Sequence, residues 1–162
     1  NFEIINKCKF AIGIHIDLFN NIIEEIPNKK LSDKNVNILD PFTGTGTFIN
    51  RLLSSEIFTP NQLKYKYENE IHANEIILLA YYIATINIES IYHSILKSNQ
   101  YQPFNGSVLT DTFQLYEQER DLIADLLPDN SKKRTKQKNS PIKIIISNPP
   151  YSIGQKSEND NA

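Results

Sequence analysis

The chain has 162 residues, 40% of them hydrophobic, which is enough for one globular domain with its own core. Its formal net charge of -2 excludes the strongly basic balance of a stand-alone nucleic-acid-binding domain. A single cysteine, Cys8, excludes an intrachain disulfide and agrees with a reducing, cytoplasmic location. No apolar run approaches the roughly 18 residues that are needed to span a bilayer.

The first elements along the chain follow a strand–loop–helix pattern. Residues 1–35 are interpreted as a lead-in segment, with an amphipathic helix predicted from His15 to Ile26. The apolar run Val36–Leu39 predicts a buried strand, and Phe48–Leu53 predicts a helix. A loop with two glycines lies between them and permits a tight turn. This pattern is typical of a doubly wound sheet, in which ligands bind beyond the carboxyl ends of the strands.

The rest of the chain repeats the alternation of strands and helices. Further strands are predicted at Glu70–Asn74, Ser107–Thr110 and Ile142–Ser147. Helices are predicted at Ile76–Leu96 and Leu115–Leu127, and the first of these should be well buried because it is apolar nearly all round. The alternation predicts an α/β fold with a mostly parallel sheet and helices on both faces.

A polar segment, residues 129–140, separates the last predicted helix from the last strand. Its five basic side chains are Lys132, Lys133, Arg134, Lys136 and Lys138. We predict a flexible, solvated basic loop here. Contact with DNA phosphates stays open as an alternative, because the segment directly precedes the last strand. Residues 154–162 are predicted to form a disordered tail.

The loop after the first strand reads Asp40-Pro41-Phe42-Thr43-Gly44-Thr45-Gly46-Thr47-Phe48. Backbone amides at the start of the following helix favour an anionic group such as a carboxylate. The loop lacks the Gly-Lys-Ser/Thr ending of an ATP phosphate loop, and Ile49 stands where dinucleotide-binding loops have their third glycine. An ordinary strand-to-helix turn is the alternative.

Acidic residues follow the next two predicted strands. Glu75 is placed to accept hydrogen bonds from ribose hydroxyls, or to cap the helix that follows. Asp111, taken alone, fits a turn former, and Phe113 fits either a ring that packs on a base or a core residue. The histidines His15, His72 and His93 lack metal-ligand spacing, so no metal site is predicted.

The last predicted strand runs into Asn148-Pro149-Pro150-Tyr151. Two prolines stiffen the chain, and the residue before a proline is held extended. The side chain of Asn148 and the carbonyl of Pro149 can then act as two fixed acceptors for a planar substrate amino group, with Tyr151 stacked on its ring. The alternatives are a surface Pro-Pro loop or a ligand for a WW-type module.

Taken together, these sequence motifs resemble those of the gamma-class DNA adenine-N6 methyltransferases. The glycine loop, the run from His72 to Ala84 and Leu109–Phe113 are similar to the methyltransferase region of type ISP restriction-modification enzymes, which join helicase, nuclease and methyltransferase in one chain. The resemblance implies a Rossmann-like S-adenosylmethionine-dependent fold over residues 36–153, incomplete at its C-terminal side.

The resemblance also implies roles for individual residues. Asp40 would hold the amino-acid end of S-adenosylmethionine, Glu75 its ribose, and Asp111 its adenine amino group. The remaining residues implied in cofactor binding are Pro41, Phe42, Thr43, Gly44, Gly46, Thr47, Phe48, Thr112 and Phe113. The implied catalytic residues are Asn148, Pro149, Pro150 and Tyr151.

The expected substrate is the exocyclic amino group of adenine, flipped out of double-stranded DNA. The chain contains no methionine, and neither an upstream Thr-Pro cofactor motif nor the later strands are found. We therefore expect a fragment of a larger protein that is joined to helicase, nuclease and target-recognition domains. The same catalytic motif occurs in RNA and protein-glutamine methyltransferases, and a non-catalytic cofactor-binding fragment is a further alternative.

Overall fold

The computed structural model describes residues 9–11, 30–98, 100–115 and 127–149, the first of these ranges as backbone only. Its strands are β1 Lys9–Ala11, β2 Asn37–Asp40, β3 Ile71–Glu75, β4 Ser107–Leu109 and β5 Ile142–Ile146. They form one sheet in the order β1-β5-β2-β3-β4, and every neighbouring pair is parallel. This confirms the predicted Rossmann-like α/β fold.

Helices connect the strands within the described part of the chain. They are α1 Thr47–Leu53, α2 Pro60–Asn69, α3 Leu78–Leu96 and α4 Pro128–Asn139. The strand order runs outward from β2 to β4 and then returns to β5 beside β2. Because such crossovers are right-handed, α4 lies on the opposite face from α1 and α3. None of the helices in the described ranges is long and apolar enough to cross a membrane.

The predicted strands are found with small shifts at their ends, and so is the helix after the glycine loop. The helix predicted from His15 to Ile26 lies outside the described residues, as do most of Leu115–Leu127 and the tail 154–162. Two parts of the lead-in segment belong to the fold: β1 pairs with β5, and Leu31 is buried in the main core cluster.

The main core lies between the sheet and the helices α1 to α3. Ile38 and Ile144 from the strands meet Leu52 of α1 and Ile88 of α3, and all four are almost fully buried. Burying an aliphatic side chain of this size contributes about 1.5–3 kcal/mol. The opposite face of the sheet carries a smaller cluster that includes Leu39 and Ile145.

The prediction that the whole apolar helix is buried is wrong for α3 in the described structure. Ala84, Ile88 and Tyr92 form its buried face. On the other side Leu79 and Ile86 are 69% and 60% exposed. A helix that packs against one neighbouring layer buries only one stripe, and hydrophobicity all round does not reveal which stripe that is.

The prediction of a flexible loop at residues 129–140 is wrong, because this segment forms α4. Pro128 stands in its first turn, where a missing N–H costs nothing. Asp129 lies in the first turn, and Lys136 and Lys138 lie in the last, so the charges complement the helix dipole. Lysine, arginine and glutamine are also good helix formers.

Basic side chains of α4 bind backbone carbonyls of the fold. Arg134 Nη2 lies 3.4 Å from the carbonyl of Gln114, and Lys136 Nζ lies 3.3 Å from that of Glu68. Gln137 is buried. The charge of this segment therefore serves in part to attach a helix to the domain.

Candidate active site

A cleft of about 410 Å³ opens at the carboxyl ends of the strands. Its lining comes from the segments that follow β2, β3, β4 and β5, at the place where ligands bind in doubly wound folds. The lining residues are Pro41, Phe42, Gly44, Asn74, Glu75, Ile76, Ile77, Thr110, Asp111, Thr112, Phe113 and Asn148.

Asp40 ends β2 beside this cleft and is buried. Its Oδ1 accepts a hydrogen bond from the backbone N–H of Phe42 at 3.2 Å. The pKa of Asp40 is raised to about 7, mainly by burial and to a smaller extent by the negative charge of Glu75, although the Phe42 amide and the hydroxyl of Ser147 act to lower it. Oδ2 makes no well-formed hydrogen bond within the described residues. Asp40 therefore titrates near neutrality.

The two loop glycines both have positive φ, but for different purposes. Gly44 has φ +56°, and a Cβ added there would meet nothing within 4 Å. Its amide donates to Glu75 Oε2 at 2.8 Å. Gly46 has φ +90°, and its Cβ would lie 3.3 Å from the carbonyl oxygen of Ala84. Gly44 thus serves the cleft, and Gly46 allows the start of α1 to approach α3 closely.

Glu75 ends β3 and joins the glycine loop to the start of α3. Its Oε2 accepts from Gly44, and its Oε1 accepts from the amides of Ile76 and Ile77 at 2.9 and 2.8 Å. Both amides precede Leu78, the first residue of α3, and this helix start has no side-chain cap, so the capping alternative is wrong in the described structure. The same carboxylate lines the cleft, so its position agrees with the ligand-binding alternative, which stays a prediction.

The segment after β4 forms one wall of the cleft. Asp111 Oδ1 accepts from the amide of Phe113 at 2.9 Å, which makes the turn that the sequence allowed. The ring of Phe113 is 74% exposed and lies 5.5 Å from that of Phe42, tilted by 44°. Two aromatic rings from different loops thus stand together in the cleft lining.

A hydrogen-bond bridge links three strand ends at the floor of the cleft. The hydroxyl of Thr112 donates to the carbonyl of Pro41 at 2.5 Å and accepts from Asn74 Nδ2 at 3.3 Å. Asn74 is fully buried, and its Oδ1 has no partner within the described residues. Thr112 thereby fixes the wall after β4 against the loop after β2.

The catalytic prediction is only partly within the described structure. Asn148 is exposed and lines the cleft, and Pro149 directly follows it. Pro150 and Tyr151 lie outside the described residues. The strand β5, buried at Ile144 and Ile146, therefore delivers Asn148 to the same cleft that receives Glu75 and Asp111.

Several predicted residues of the glycine loop lie away from the cleft lining. Thr43 is buried and donates to the carbonyl of Asp40, and Phe48 belongs to the core. Gly46 is the N-cap of α1, and Thr47 is its first residue. The sequence interpretation missed Asn74 and Thr110, whose signal was a polar side chain at the end of an apolar strand.

His72, for which no metal-ligand role was predicted, lies inside the sheet. Its Nε2 lies 3.1 Å from Oδ1 of Asn37 on the neighbouring strand. Burial lowers the pKa of His72 to about 4, and the positive charge of Lys136 lowers it as well. The ring is therefore neutral at pH 7 and contributes to strand pairing.

Solved structures resemble this chain over most of its length. A nuclease-deletion mutant of the type ISP restriction-modification enzyme LlaGI, in complex with a DNA substrate mimic, matches 88% of the chain at 44% identity and a TM-score of 0.78. The ATP-dependent type ISP restriction-modification enzyme LlaBIII, bound to DNA, matches 86% at 43% identity and a TM-score of 0.78. The chain matches a segment of the type ISP restriction-modification enzymes.

This match confirms the resemblance to type ISP restriction-modification enzymes that was found in the sequence. A cryoEM structure of a DrdV–DNA complex is also similar, over 94% of the chain at 38% identity and a TM-score of 0.78. The chain spans only 12%, 10% and 15% of the LlaGI, LlaBIII and DrdV chains. No protein-family model and no curated protein matches it.

Proposed function

We propose that this chain is the cofactor-binding and catalytic core of an S-adenosylmethionine-dependent DNA adenine-N6 methyltransferase in a restriction-modification system. The observation that carries the proposal is the common cleft. Glu75, Asp111 and Asn148 were singled out from separate motifs, and all three line one cavity at the carboxyl edge of a parallel sheet. The type ISP relatives, solved with DNA or a DNA mimic, support a restriction-modification role.

Structural observations that are independent of the sequence motifs support S-adenosylmethionine as the ligand of this cleft. Asp40 Oδ2 has no well-formed hydrogen bond, and Asn74 Oδ1 has no partner among the described residues, so two buried acceptors suit a ligand that brings an ammonium group. The rings of Phe42 and Phe113 suit the adenine base. Glu75 and Asp111 would accept from the ribose hydroxyls and the adenine amino group.

The chain's own residues would orient the substrate and provide hydrogen-bond acceptors. Bound S-adenosylmethionine would supply an activated methyl group on a sulfonium, so no strong base is required at the start. Asn148 and the carbonyl of Pro149 would accept the two hydrogens of the target amino group. Held in this way, the nitrogen lone pair conjugates less with the ring and becomes more nucleophilic. Catalysis then comes mainly from positioning and fixed electrostatics.

DNA is the favoured polymer because the similar structures are DNA complexes. An RNA or protein-glutamine methyltransferase would share the acceptor pair at Asn148. We propose that target recognition and duplex opening belong to other regions of a longer protein, as the small share of the relatives covered by this chain suggests.

Calorimetry with S-adenosylmethionine tests the cofactor site in this chain. We expect binding in the wild type and at least tenfold weaker binding in Asp111→Asn, since an amide can no longer act purely as an acceptor. The matched control is Asp129→Asn, an exposed aspartate on α4, which should bind like the wild type. Absence of wild-type binding at millimolar cofactor would contradict the proposal for this chain.

The catalytic role is tested by Asn148→Ala in the full-length protein. Loss of an acceptor that acts in the transition state should lower methyl transfer to adenine in duplex DNA by about 100-fold or more. Cofactor affinity should stay close to that of the wild type. Asn139→Ala, on an exposed position of α4, is the control. Equal loss of binding and transfer would show that Asn148 is structural.

A further inference from the structure

One side chain of α4 completes the open edge of the sheet beside the cleft. Among the strands that the structure describes, β4 stands at the edge, so its outward backbone groups have no neighbouring strand there. The side-chain amide of Asn130 binds these groups with both its oxygen and its nitrogen. The N–H of Leu109 donates to Asn130 Oδ1 at 2.8 Å, and Asn130 Nδ2 donates to the carbonyl of Leu109 at 3.0 Å.

This pair lies directly before the cleft wall. Leu109 is the last residue of β4, and the next four residues, 110–113, all line the cavity. On the inner side the amide of Thr110 donates to the carbonyl of Glu75 at 2.9 Å. On the outer side Asn130 supplies both hydrogen bonds to Leu109. The direction in which the chain leaves β4 is therefore fixed from two sides.

We propose that Asn130 is a positioning residue for the adenine half of the cofactor, acting through Leu109 on Asp111 and Phe113. This inference rests on the proposed function, because it assigns those two residues to the base. An asparagine is suited to the task because it offers one donor and one acceptor to the two groups of a single backbone residue.

The pair also connects the cofactor wall to the helix that leads into the catalytic strand. α4 ends at Asn139, and β5 begins at Ile142 and runs to Asn148. Asn130 thus couples the segment after β4 to the segment that delivers Asn148.

A purely structural role would be the attachment of α4, but this helix has other attachments. Arg134 reaches the carbonyls of Gln114 and Leu115, and Lys136 reaches that of Glu68. Removing the Asn130 amide should therefore leave α4 in place and release mainly Leu109. The effect should appear in ligand binding more than in global unfolding.

The test compares Asn130→Ala, the isosteric Asn130→Asp and the control Asn139→Ala on the same helix. Calorimetry with S-adenosylmethionine and with adenosine should show about tenfold weaker binding of both ligands in the two Asn130 variants, since each leaves a backbone group of Leu109 unpaired. Asn139→Ala should match the wild type. Unchanged affinities in folded Asn130 variants would overturn the inference.

Amide hydrogen exchange provides a second measurement that does not depend on the cofactor. The amide of Phe113 reports the Asp111 turn, because it donates to the Asp111 carboxylate. It should exchange faster in both Asn130 variants and not in Asn139→Ala. Unchanged exchange at Phe113 would overturn the inference even if the wild type binds cofactor. If exchange rises but the wild type binds no adenosine compound, the proposed function fails and the inferred role at the cofactor fails with it.

Discussion

The two ends of the sheet handle buried charge in opposite ways. At the amino end, Lys66 is fully buried, and its Nζ donates to the carbonyls of Asp33 and Val36 at 2.6 and 2.8 Å. It also pairs with Glu70 Oε2 at 2.6 Å, while Glu70 Oε1 accepts from the amide of Asn35 at 2.6 Å. Both carboxylate oxygens of Glu70 therefore have partners within the described fold.

At the carboxyl end, buried polar groups lack such partners. Asp40 keeps an oxygen without a well-formed hydrogen bond, and so does Asn74. The cost is visible in the pKa of Asp40, which burial raises to about 7. The Lys66–Glu70 cluster at the amino end is complete without a ligand, whereas Asp40 and Asn74 at the carboxyl end keep acceptor oxygens that are open to a donor from a ligand. The comparison separates residues that stabilise the fold from residues that serve the cleft.

The largest effect on the free energy of unfolding is expected from breaking the Lys66–Glu70 cluster at the amino end of the sheet. Lys66→Met leaves the Glu70 carboxylate buried without its cation and two carbonyls without a donor, which should lower the free energy of unfolding by about 3–5 kcal/mol. Lys64→Met, at an exposed lysine of the same helix, should change it by less than about 0.5 kcal/mol. Urea denaturation measures both. If the folded Lys66→Met variant also loses cofactor affinity, the separation between residues that stabilise the fold and residues that serve the cleft is wrong.

Asp40→Asn removes the buried carboxylate at the carboxyl end of the sheet. It should raise the free energy of unfolding, whereas Lys66→Met lowers it. Because the folded pKa is about 7 against a reference of 3.8, the folded protein keeps a proton that the unfolded chain has lost between these pH values. Stability from this group is therefore full below about pH 4 and falls as pH rises to 7.

At pH 8 the Asp40→Asn variant should be more stable than the wild type by up to about 4 kcal/mol, because it carries no buried charge. Its affinity for S-adenosylmethionine should be lower and should lose the rise between pH 5.5 and 7.5 that we expect for the wild type. Denaturant midpoints and calorimetry across this range measure both effects. A variant less stable than the wild type at pH 8 would show that the Asp40 charge supports the fold.

The sequence predicted the carboxyl end better than the amino end, for a physical reason. The strands that end at Asp40 and Glu75, and the strand that precedes Asp111, are recognised from local alternation and from turn residues next to them. Whether these residues act as proposed on the cofactor stays a prediction. The hydrogen bonds from Lys66 to the carbonyls of Asp33 and Val36 join residues 30 or more positions apart, and no local pattern contains them.

The difference between local patterns and contacts of distant residues also explains why the predicted burial of α3 and the predicted loop at α4 were wrong. Apolar composition predicted the length of α3, but the exposed side of Leu79 and Ile86 depends on which neighbours pack against it. For α4, polarity suggested a loop, although Pro128 and Asp129 were helix-start signals in the sequence. The link from Asn130 to Leu109 spans 21 positions and only becomes visible in the folded chain.

Two glycine variants of the loop after β2 distinguish the residue that packs against α3 from the residue that faces the cleft. Gly46→Ala adds a Cβ 3.3 Å from the Ala84 carbonyl at φ +90°, which should cost about 2–3 kcal/mol of stability. Gly44→Ala meets no atom within 4 Å at φ +56° and should cost about 1 kcal/mol through backbone strain alone. Thermal unfolding measures the difference. Equal losses would mean that the approach of α1 to α3 tolerates a methyl group.

The smallest expected effect concerns a helix start whose hydrogen bonds involve neither end of the sheet. Thr59 caps α2: its hydroxyl oxygen accepts from the Gln62 amide, and the Gln62 side chain accepts from the Thr59 amide at 3.0 Å. Thr59→Ala should lower the free energy of unfolding by about 1 kcal/mol and leave cofactor affinity unchanged. Since the two residues form one capping box, the double variant with Gln62→Ala should lose less than the sum of the single losses. Additive losses in urea denaturation would mean that the two side chains act separately, and any change in cofactor affinity would mean that the cleft depends on more of the fold than its own strand ends.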